Sequence, residues 1–349
     1  MLKPQVQAVN WQNNRVVILD QTKLPSEETY LHLAEHAGVV DAIKRLAVRG
    51  APAIGVAGAY GVVLAAQESL SLPIAGRERY FQSALTHLTE ARPTAVNLRW
   101  GVNRMKALWE SQGGNLDAQM VKSLWEEASL IHEQDIQTNL KMAEIGASVF
   151  KSPVGVLTVC NTGDLATAGI GTAFGVFHWG YRAGKVLHVY ACETRPVMQG
   201  SRLTVWELQK NKIPFTLICD NMAGIMMREG KVGAVFAGAD RIAANGDSAN
   251  KVGTYTLAVL AKHHGLPFYI VAPTSTFDLS IASGAEIPIE ERHGEEILGA
   301  LGSNQHPYHV PVRNPAFDVT PRELISAIIC EKGVIASPSA AEVRRIVTG

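Results

Sequence analysis

The chain has 349 residues, of which 47% are hydrophobic and 18% are charged, and its 32 basic residues balance 32 acidic ones. This composition excludes a disordered chain and is typical of a folded protein large enough for two domains. A net charge of zero without any long basic run argues against a nucleic-acid partner.

Targeting signals and cysteine pairs are missing from the sequence. The first residues, Met-Leu-Lys-Pro-Gln-Val-Gln, contain no apolar signal segment. The longest stretch of low charge, residues 51–66, is too short to span a membrane and predicts a buried helix instead. The four cysteines lie far apart and form no CxxC pair, which argues against a zinc or disulfide framework. Cys192 and Cys219 are expected to be inert thiols of the core. We therefore expect a cytoplasmic protein that does not contact a membrane.

The first 150 residues predict a mostly helical domain with a small β-hairpin. Alternating polar and apolar residues over 5–25, with a turn at Asn13-Asn14, are typical of a hairpin. A helical pattern begins at Ser26, with Glu27-Glu28 in its first turn, and ends at the breaker Gly50-Ala51-Pro52. Further helices are predicted at residues 53–67, 77–91, 98–111 and 117–149.

The pattern changes after residue 150, where short apolar runs typical of strands alternate with helical runs. The predicted strands are residues 154–160, 186–192, 215–219, 232–237 and 267–272, and the predicted helices are residues 165–182, 200–211, 221–228 and 251–264. This alternation indicates βαβ units and a parallel sheet. The predicted fold class is therefore α/β, with a helical domain at residues 1–150 and a parallel-sheet domain at 151–349. Residues 274–317 are predicted to be irregular, and Thr320 is predicted to begin a final helix.

Polar residues follow the first four predicted strands. These runs are Cys160–Gly163, residues 192–202, residues 219–221 and residues 238–241, and further polar residues come at 245–253. Because ligands bind beyond the carboxyl ends of parallel strands, we expect one polar cleft above an apolar floor. At Cys160 a thiol adjoins a Gly-rich turn and a predicted helix start, where backbone amides and the helix dipole favour an anion.

Several of these residues have a structural interpretation beside the functional one. Cys160 is also explained as a buried residue ending a strand, and Asp240 as a turn cap or a partner of Arg241. Gln199 alone is more typical of surface polarity. Lys251 at a helix start opposes the dipole, which favours an anion beside it.

Two arginines, Arg49 and Arg92, stand at chain breakers. Arginines at such positions are usually solvated, but a pair of them facing a cleft suits phosphate, which accepts bidentate guanidinium contacts.

Together these segments resemble the methylthioribose-1-phosphate isomerase family, which shares a superfamily with the regulatory subunits of the eukaryotic translation initiation factor 2B. The matching segments are Val48-Arg-Gly-Ala-Pro-Ala-Ile-Gly-Val, Arg92-Pro-Thr-Ala-Val-Asn-Leu, Cys160-Asn-Thr-Gly, Glu193-Thr-Arg-Pro, Gln199-Gly-Ser-Arg-Leu-Thr, Asp220-Asn-Met-Ala, Gly238-Ala-Asp-Arg-Ile-Ala-Ala-Asn-Gly-Asp and Asn250-Lys-Val-Gly-Thr-Tyr. One residue departs from the pattern: Asp164 stands where a small uncharged residue is expected, and it adds a carboxylate close to the thiol in sequence.

The resemblance implies an aldose–ketose isomerase that converts 5-methylthio-α-D-ribose 1-phosphate to 5-methylthio-D-ribulose 1-phosphate. It also implies a homodimer with a Rossmann-like C-terminal domain and without a metal or nucleotide cofactor. Cys160 and Asp240 carry over as the catalytic pair. The implied substrate contacts are Arg49, Gly50, Ala51, Arg92, Gln199, Asn250 and Lys251. Proton transfer through an enediol and direct hydride transfer both stay open.

Three other functions fit the sequence less well. An isomerase of ribose 1,5-bisphosphate requires extra cations for its second phosphate, whereas Met198, Met222 and residues 53–63 offer an apolar lining that favours a thioether. A non-catalytic regulatory subunit has no need of both Cys160 and Asp240. A nicotinamide dehydrogenase is the weakest of the three alternatives, because Gly169 and Gly171 lack the glycine spacing of the dinucleotide-binding fingerprint.

Overall fold

The computed structural model of the chain describes residues 2–92, 95–299 and 310–349. Contacts between residues divide it into two compact units. The first comprises Met1–Leu140 with Thr162–Gly171, and the second comprises Lys141–Asn161 with Thr172–Gly349. The domain boundary that the sequence suggested at residue 150 stays a prediction.

The first unit contains a three-stranded antiparallel sheet and a set of helices. The strands are β1 (Val9–Gln12), β2 (Arg15–Leu19) and β3 (Tyr30–Leu33), and the helices are α1 (His36–Lys44), α2 (Ala51–Ser69), α3 (Ile74–Glu90), α4 (Val96–Ser111) and α5 (Ala118–Ala147), whose last turns belong to the second unit. The predicted hairpin is confirmed. Asn13 and Asn14 both have positive φ, +52° and +57°, as a two-residue hairpin turn requires.

The helix predicted to begin at Ser26 was wrong at its start. Residues 30–33 instead form β3, in which His32 pairs with Val17 of β2, and the helix begins at His36. Half-buried Leu31 and Leu33 alternate with exposed Tyr30 and His32, which suits an edge strand, and pairing with β2 decides the outcome.

Helix α2 forms the centre of the first unit, as its apolar sequence predicted. Nearly all its residues are buried, and they pack with the hairpin and with helices α1, α3 and α4. Helices α2 and α4 approach closely because glycines stand where they meet: a Cβ on Gly101 would lie 2.6 Å from the carbonyl oxygen of Gly55. Any larger residue at Gly101 would force the two helices apart.

The second unit is built on a seven-stranded sheet. Its strands are β4 (Val154–Thr158), β5 (Val186–Cys192), β6 (Phe215–Ile218), β7 (Ala234–Ala237), β10 (Phe268–Val271), β13 (Ala327–Cys330) and β14 (Gly333–Ala336), in the order β14-β13-β10-β7-β4-β5-β6. All neighbours are parallel except β13 and β14. The five predicted strands are therefore confirmed, and with them the α/β class.

The helices of the second unit follow the predicted alternation with shifted ends. They are α6 (Ala173–Arg182), α7 (Val205–Lys210), α8 (Ala223–Arg228), α9 (Thr254–His263), α10 (Glu295–Leu298) and α11 (Ala340–Thr348). A π-helical turn, Gly200–Thr204, leads into α7. The final helix predicted from Thr320 was wrong. The apolar run of β13 enters the sheet beside β10 instead, and α11 begins after Ser339, whose hydroxyl accepts the N–H of Glu342.

A second sheet was not predicted. It has the order β11-β8-β9-β12, formed by Phe277–Asp278, Arg241–Ala243, Ser248–Lys251 and Phe317–Thr320. These strands are short and rich in polar residues, so they carry no clear apolar alternation. Strand β11 falls inside residues 274–317 and β12 begins at the last of them, so the prediction of irregular structure was wrong there and at α10. Residues 300–309 of that segment lie outside the described residues.

Candidate active site

The order in which the chain adds strands to the seven-stranded sheet reverses between the parallel neighbours β4 and β7. From β4 the chain adds β5 and β6 on one side, and β7, β10 and β13 lie on the other. Such a switch point leaves a crevice outside the carboxyl ends of the two strands, and ligands of parallel α/β sheets bind there. Cys160 follows β4 by two residues and Asp240 follows β7 by three. Strands β4 and β7 are neighbours, about 4.8 Å apart. Cys160 and Asp240 therefore follow the two strands that border the switch point.

The backbone of Cys160 is held in an uncommon conformation. Its φ is +65°, a value that a residue with a side chain adopts at a cost of roughly 1–3 kcal/mol. The Cys160 N–H donates to Oγ1 of Thr194 at 2.8 Å, and its carbonyl accepts from Oγ1 of Thr204 at 2.6 Å. The residue is buried. Both backbone groups of Cys160 are thus fixed by side chains from the end of β5 and the turn before α7.

Asn161, the next residue, is also fully enclosed. Its side-chain amide donates to the carboxylate of Glu207 and, at 3.3 Å, to Oγ1 of Thr204. Asn161 and Glu207 are 2% and 1% exposed, so this amide–carboxylate pair is shielded from solvent. The pair fixes the strand exit from the side of α7.

Asp240 connects the two sheets of the second unit. Its N–H donates to the carbonyl of Ala249 at 2.9 Å. The candidate substrate contact Asn250 is the residue after Ala249. The side chain of Asn250 donates to Oγ1 of Thr254 at 2.9 Å, and that hydroxyl donates to the carbonyl of Lys251 at 2.7 Å. The structure therefore brings Asp240 and Asn250 to the same edge.

Lys251 lies at the end of β9, not at a helix start, so the argument from an opposed helix dipole was wrong. The pairing of β9 with β12 places it opposite Phe317. Its buried ammonium donates to the carbonyl of Ala316 at 2.8 Å and stands 4.9 Å from the centre of the Phe317 ring. A buried, well-supported cation is still a strong contact for an anion.

Gln199 is almost fully buried, at 4% exposed, rather than on the surface. It stands after β5, immediately before the π-helical turn. Among the described residues, its side-chain oxygen has no hydrogen-bond partner. A buried acceptor without a partner costs about 1–3 kcal/mol, and a ligand hydroxyl would satisfy it.

The remaining candidate contacts belong to the first unit. Gly50 has a φ of +92°, and a Cβ on it would lie 2.5 Å from the backbone of Ala166. Ala51 begins α2, and the buried Arg49 precedes them. Arg92 is half-buried after α3, and the Pro93-Thr94 part of its motif lies outside the described residues. How these residues stand relative to Cys160 and Asp240 stays a prediction.

The helix start predicted beside Cys160 was wrong. Residues 164–166 form a single 3-10 turn, and α6 begins only at Ala173. The chain turns back at Gly171, whose φ is +88° and where a Cβ would lie 2.3 Å from the carbonyl oxygen of Thr162. The amides that follow Cys160 therefore do not form a helix N-terminus.

Asp164, the departure from the family pattern, has a structural partner. Its carboxylate accepts the N–H of Gln5 at 2.6 Å and that of Val6 at 3.4 Å. Burial raises the pKa of Asp164 to about 7, although these two hydrogen bonds act to lower it. The added carboxylate thus fixes the N-terminal segment of the first unit.

The raised pKa of Asp164 predicts a pH-dependent stability. The folded chain holds this proton up to about pH 7 whereas the unfolded chain releases it near pH 4. The stabilising contribution is therefore complete below about pH 4 and is lost as pH rises to about 7. In thermal denaturation between pH 4 and 8, we expect Asp164→Asn to remove part of the fall in melting temperature that the wild type shows. An identical slope in both proteins would contradict this.

Three residues that hold the site were not among the candidates. Thr194 receives the Cys160 N–H, and Asp220 accepts the N–H groups of Thr194 and Arg195 at 2.8 and 2.7 Å. Asp318 of β12 accepts the N–H groups of residues 253 and 255 at 2.6 and 3.0 Å, at the start of α9. Burial raises the pKa of Asp318 to about 6, although these hydrogen bonds and the charge of Lys251 act to lower it. Thr194 and Asp220 each stand after a strand and within a segment that matches the family, whereas Asp318 lies inside β12 and gave no sequence signal.

The other cysteines differ from the expectation at one position. Cys192 is buried, and burial together with the charges of Asp220 and Glu193 raises the pKa of its thiol. Cys219, expected in the core, is exposed. The charge of Glu193 is the main cause of the raised pKa of its thiol. Neither environment favours a thiolate.

Neither a metal-binding cluster nor a membrane-spanning helix occurs among the described residues. In residues 2–92, 95–299 and 310–349, no three side chains of His, Cys, Asp or Glu are grouped to hold a metal ion. No helix in the same part of the chain is both long and apolar enough to cross a bilayer.

Comparison with known proteins identifies the family. The model of the initiation factor 2 subunit family matches residues 47–337. The chain belongs to this family. The family resemblance inferred from the motifs is thereby confirmed, and with it the α/β fold.

Proteins and solved structures with different names are similar to this chain over nearly its whole length. A protein of Koribacter versatilis (strain Ellin345) named methylthioribose-1-phosphate isomerase is 48% identical, covering 99% of this chain and 98% of its own. The crystal structure of 5-methylthioribose 1-phosphate isomerase from Pyrococcus horikoshii OT3 is 41% identical with a TM-score of 0.90, covering 99% and 97%. A structure described as translation initiation factor eIF-2B, subunit delta, from A. fulgidus is 42% identical with a TM-score of 0.85, covering 99% and 100%.

Proposed function

We propose that this chain is an aldose–ketose isomerase that converts 5-methylthio-α-D-ribose 1-phosphate to 5-methylthio-D-ribulose 1-phosphate in methionine salvage. The observation that supports it most is the arrangement at the switch point. There a thiol, Cys160, and a carboxylate, Asp240, follow two adjacent parallel strands. Near-full-length relatives at 48–49% identity carry the name of this isomerase.

The chemistry explains why the site needs an acid. Phosphate on the anomeric oxygen prevents ordinary ring opening, so the enzyme must protonate the ring oxygen while the phosphate stays attached. Hydrogen then moves from C2 to C1, the hydroxyl at C2 returns a proton to the Asp240 carboxylate, and a carbonyl forms at C2. Asp240 supplies the proton for ring opening and Cys160 assists the transfer between C2 and C1. The buried amide oxygen of Gln199 accepts a sugar hydroxyl.

An assay with the sugar phosphate tests this function. The purified protein is mixed with 5-methylthioribose 1-phosphate in deuterated water, and the ketose carbonyl is followed by NMR. We expect ketose to form, whereas ribose 1,5-bisphosphate turns over poorly. Deuterium at C1 would indicate proton transfer, and its absence would indicate hydride transfer. No ketose from the methylthio sugar would contradict the proposal.

The phosphate contacts make a separate prediction. Arg92→Ala and Lys251→Ala are each expected to weaken substrate binding, because each removes a charge-assisted hydrogen bond to the phosphate, worth about 1.5–3 kcal/mol. Isothermal titration calorimetry with a non-reacting substrate analogue measures this, and Lys210→Ala, on α7, serves as the control. Normal binding by both variants would place the phosphate elsewhere.

A regulatory subunit is the second candidate, because one similar structure is described as a subunit of an initiation factor. The fold of that subunit is almost as similar to this chain as the fold of the Pyrococcus isomerase is, so the fold alone does not separate an enzyme from a regulatory subunit. The thiol and the carboxylate at the switch point favour the enzyme. Stable association with a larger complex, together with no turnover of any sugar phosphate, would favour the subunit.

We also propose that the protein acts in the cytoplasm as a homodimer. Helices α8 and α9 pack together, and they leave Ile225, Tyr255 and Val259 exposed. Exposed apolar side chains on neighbouring helices are typical of an interface. In analytical ultracentrifugation we expect a dimer for the wild type and monomer for Val259→Glu, while Leu187→Glu, at another exposed apolar residue, leaves the dimer intact. A monomeric wild type would contradict this.

A further inference from the structure

A line of hydrogen bonds joins the ends of three adjacent strands, β4, β5 and β6. The carboxylate of Asp220, after β6, accepts the N–H of Thr194 at 2.8 Å and that of Arg195 at 2.7 Å. Thr194, after β5, in turn accepts the N–H of Cys160 on its hydroxyl oxygen at 2.8 Å. Cys160, after β4, is therefore connected to Asp220 through a single residue, Thr194, whose backbone N–H binds Asp220 and whose hydroxyl binds Cys160.

The Thr194 hydroxyl has its direction fixed. It donates its only proton to the carbonyl of Cys192 at 3.1 Å, so its lone pairs remain to accept the N–H of Cys160. Gly200 packs against the same place, since a Cβ there would lie 1.7 Å from that carbonyl oxygen and 2.9 Å from the Thr194 hydroxyl. The hydroxyl is thus enclosed by backbone and has little room to shift.

The backbone at both Cys160 and Thr194 needs such support. Each has a φ of +65°, in the left-handed region that residues with a side chain rarely adopt, and Thr194 is β-branched, which makes this conformation still less favourable. Strained backbone persists at a functional site only where the surroundings over-determine it. The hydroxyl of Thr194 accepts the N–H of Cys160, and the carboxylate of Asp220 accepts the N–H of Thr194, so both strained residues are held by their backbone.

We propose that Asp220 is a positioning residue that sets the place of the Cys160 thiol by acting through Thr194. Asp220 fixes the backbone of Thr194, and Thr194 fixes the backbone of Cys160. The thiol is then held in a single position at the switch point. This assignment depends on the proposed isomerase function only in the kinetic test, because the alkylation of Cys160 can be measured without any turnover.

Two measurements separate this role from general stability. The first is the rate at which iodoacetamide alkylates Cys160, quantified by peptide mass spectrometry so that the exposed Cys219 does not interfere. The second is the split between kcat and KM with 5-methylthioribose 1-phosphate. The variants are Asp220→Ala, the milder Asp220→Asn, Thr194→Val and Thr194→Ser. Thr194→Val keeps the shape of the side chain and removes the hydroxyl, whereas Thr194→Ser keeps the hydroxyl.

We expect Asp220→Ala and Thr194→Val each to change the alkylation rate of Cys160 several-fold and to lower kcat by roughly 10- to 100-fold, because small displacements of a reacting group have effects of that size. KM is expected to change little, and Thr194→Ser should keep most of the wild-type behaviour. The double variant Asp220→Ala/Thr194→Val should be no worse than the more severe single variant. Non-additivity of this kind is the signature of one residue acting through the other.

Glu331→Gln is the matched control. Glu331 follows β13 and its carboxylate accepts the N–H of Thr274, after β10, at 3.0 Å, which is the same kind of contact between neighbouring strand ends. We expect this variant to leave the alkylation rate and kcat unchanged. The proposal would be overturned if the losses in kcat of the two single variants multiplied in the double variant. It would also be overturned if Asp220→Ala left the alkylation rate of Cys160 unchanged, or if Glu331→Gln changed that rate as much as Asp220→Ala does. If the wild type does not isomerise the sugar, the proposed function fails while the alkylation rates still decide the role of Asp220.

Discussion

Asp240→Asn is expected to lower kcat by about 10²- to 10⁴-fold while KM stays within a few-fold of the wild type. The amide has nearly the shape of the carboxylic acid, but it does not deliver a proton to the ring oxygen. Because the backbone N–H of Asp240 holds the carbonyl of Ala249, the side-chain change leaves that link between the two sheets in place. Steady-state kinetics with the methylthio sugar measure both constants.

Asp117→Asn provides the control for this replacement. The side chain of Asp117 accepts the N–H of Met120 at the start of α5, and an asparagine serves equally well as a helix cap. This variant is expected to keep the wild-type kcat. Near-normal turnover by Asp240→Asn would remove Asp240 from the proton-transfer step.

Cys160→Ser is expected to have an effect of similar size, about 10²- to 10⁴-fold on kcat, again with little change in KM. A hydroxyl holds its proton far more tightly than a thiol, so it is a much poorer group for handling a proton between C2 and C1. The hydrogen bonds that fix residue 160 come from its backbone, and serine retains them. The loss therefore reports on the sulfur atom itself.

Cys330→Ser is the matched control, since it makes the same replacement at a buried cysteine of the same sheet. Burying a hydroxyl there is expected to lower the melting temperature without changing kcat. If Cys160→Ser behaves like Cys330→Ser, with lower stability and normal turnover, then Cys160 is a structural residue only.

The sequence predicted five of the seven strands of the large sheet because they are short, apolar runs between helical ones, whereas β13 and β14 were not predicted. Strand β5 was predicted with its observed bounds, Val186–Cys192, and α2 was predicted as a buried helix because its run of small apolar residues has no polar face. The sheet formed by β8, β9, β11 and β12 was missed for the opposite reason. Ser248–Lys251 is polar, and its pairing with Phe317–Thr320 depends on a chain segment more than sixty residues away.

The same limit applies to the candidate site. The thiol and the carboxylate could be chosen from their types and their places after strands, whereas the groups that hold them could not. The positive φ of Cys160 and of Thr194 comes from tertiary contacts, because neither residue favours that conformation on its own. Likewise, no local pattern shows that the carboxylate of Asp164 accepts from Gln5, about 160 residues earlier in the chain.

A crystal structure of the protein with its ketose product bound is the most direct test of the central claim. We expect the Cys160 sulfur and a carboxylate oxygen of Asp240 to contact the same pentose, the one beside C1 and C2 and the other within hydrogen-bond reach of the oxygen that closed the ring. A product molecule that touches only one of the two residues, or that binds away from the carboxyl ends of β4 and β7, would contradict it.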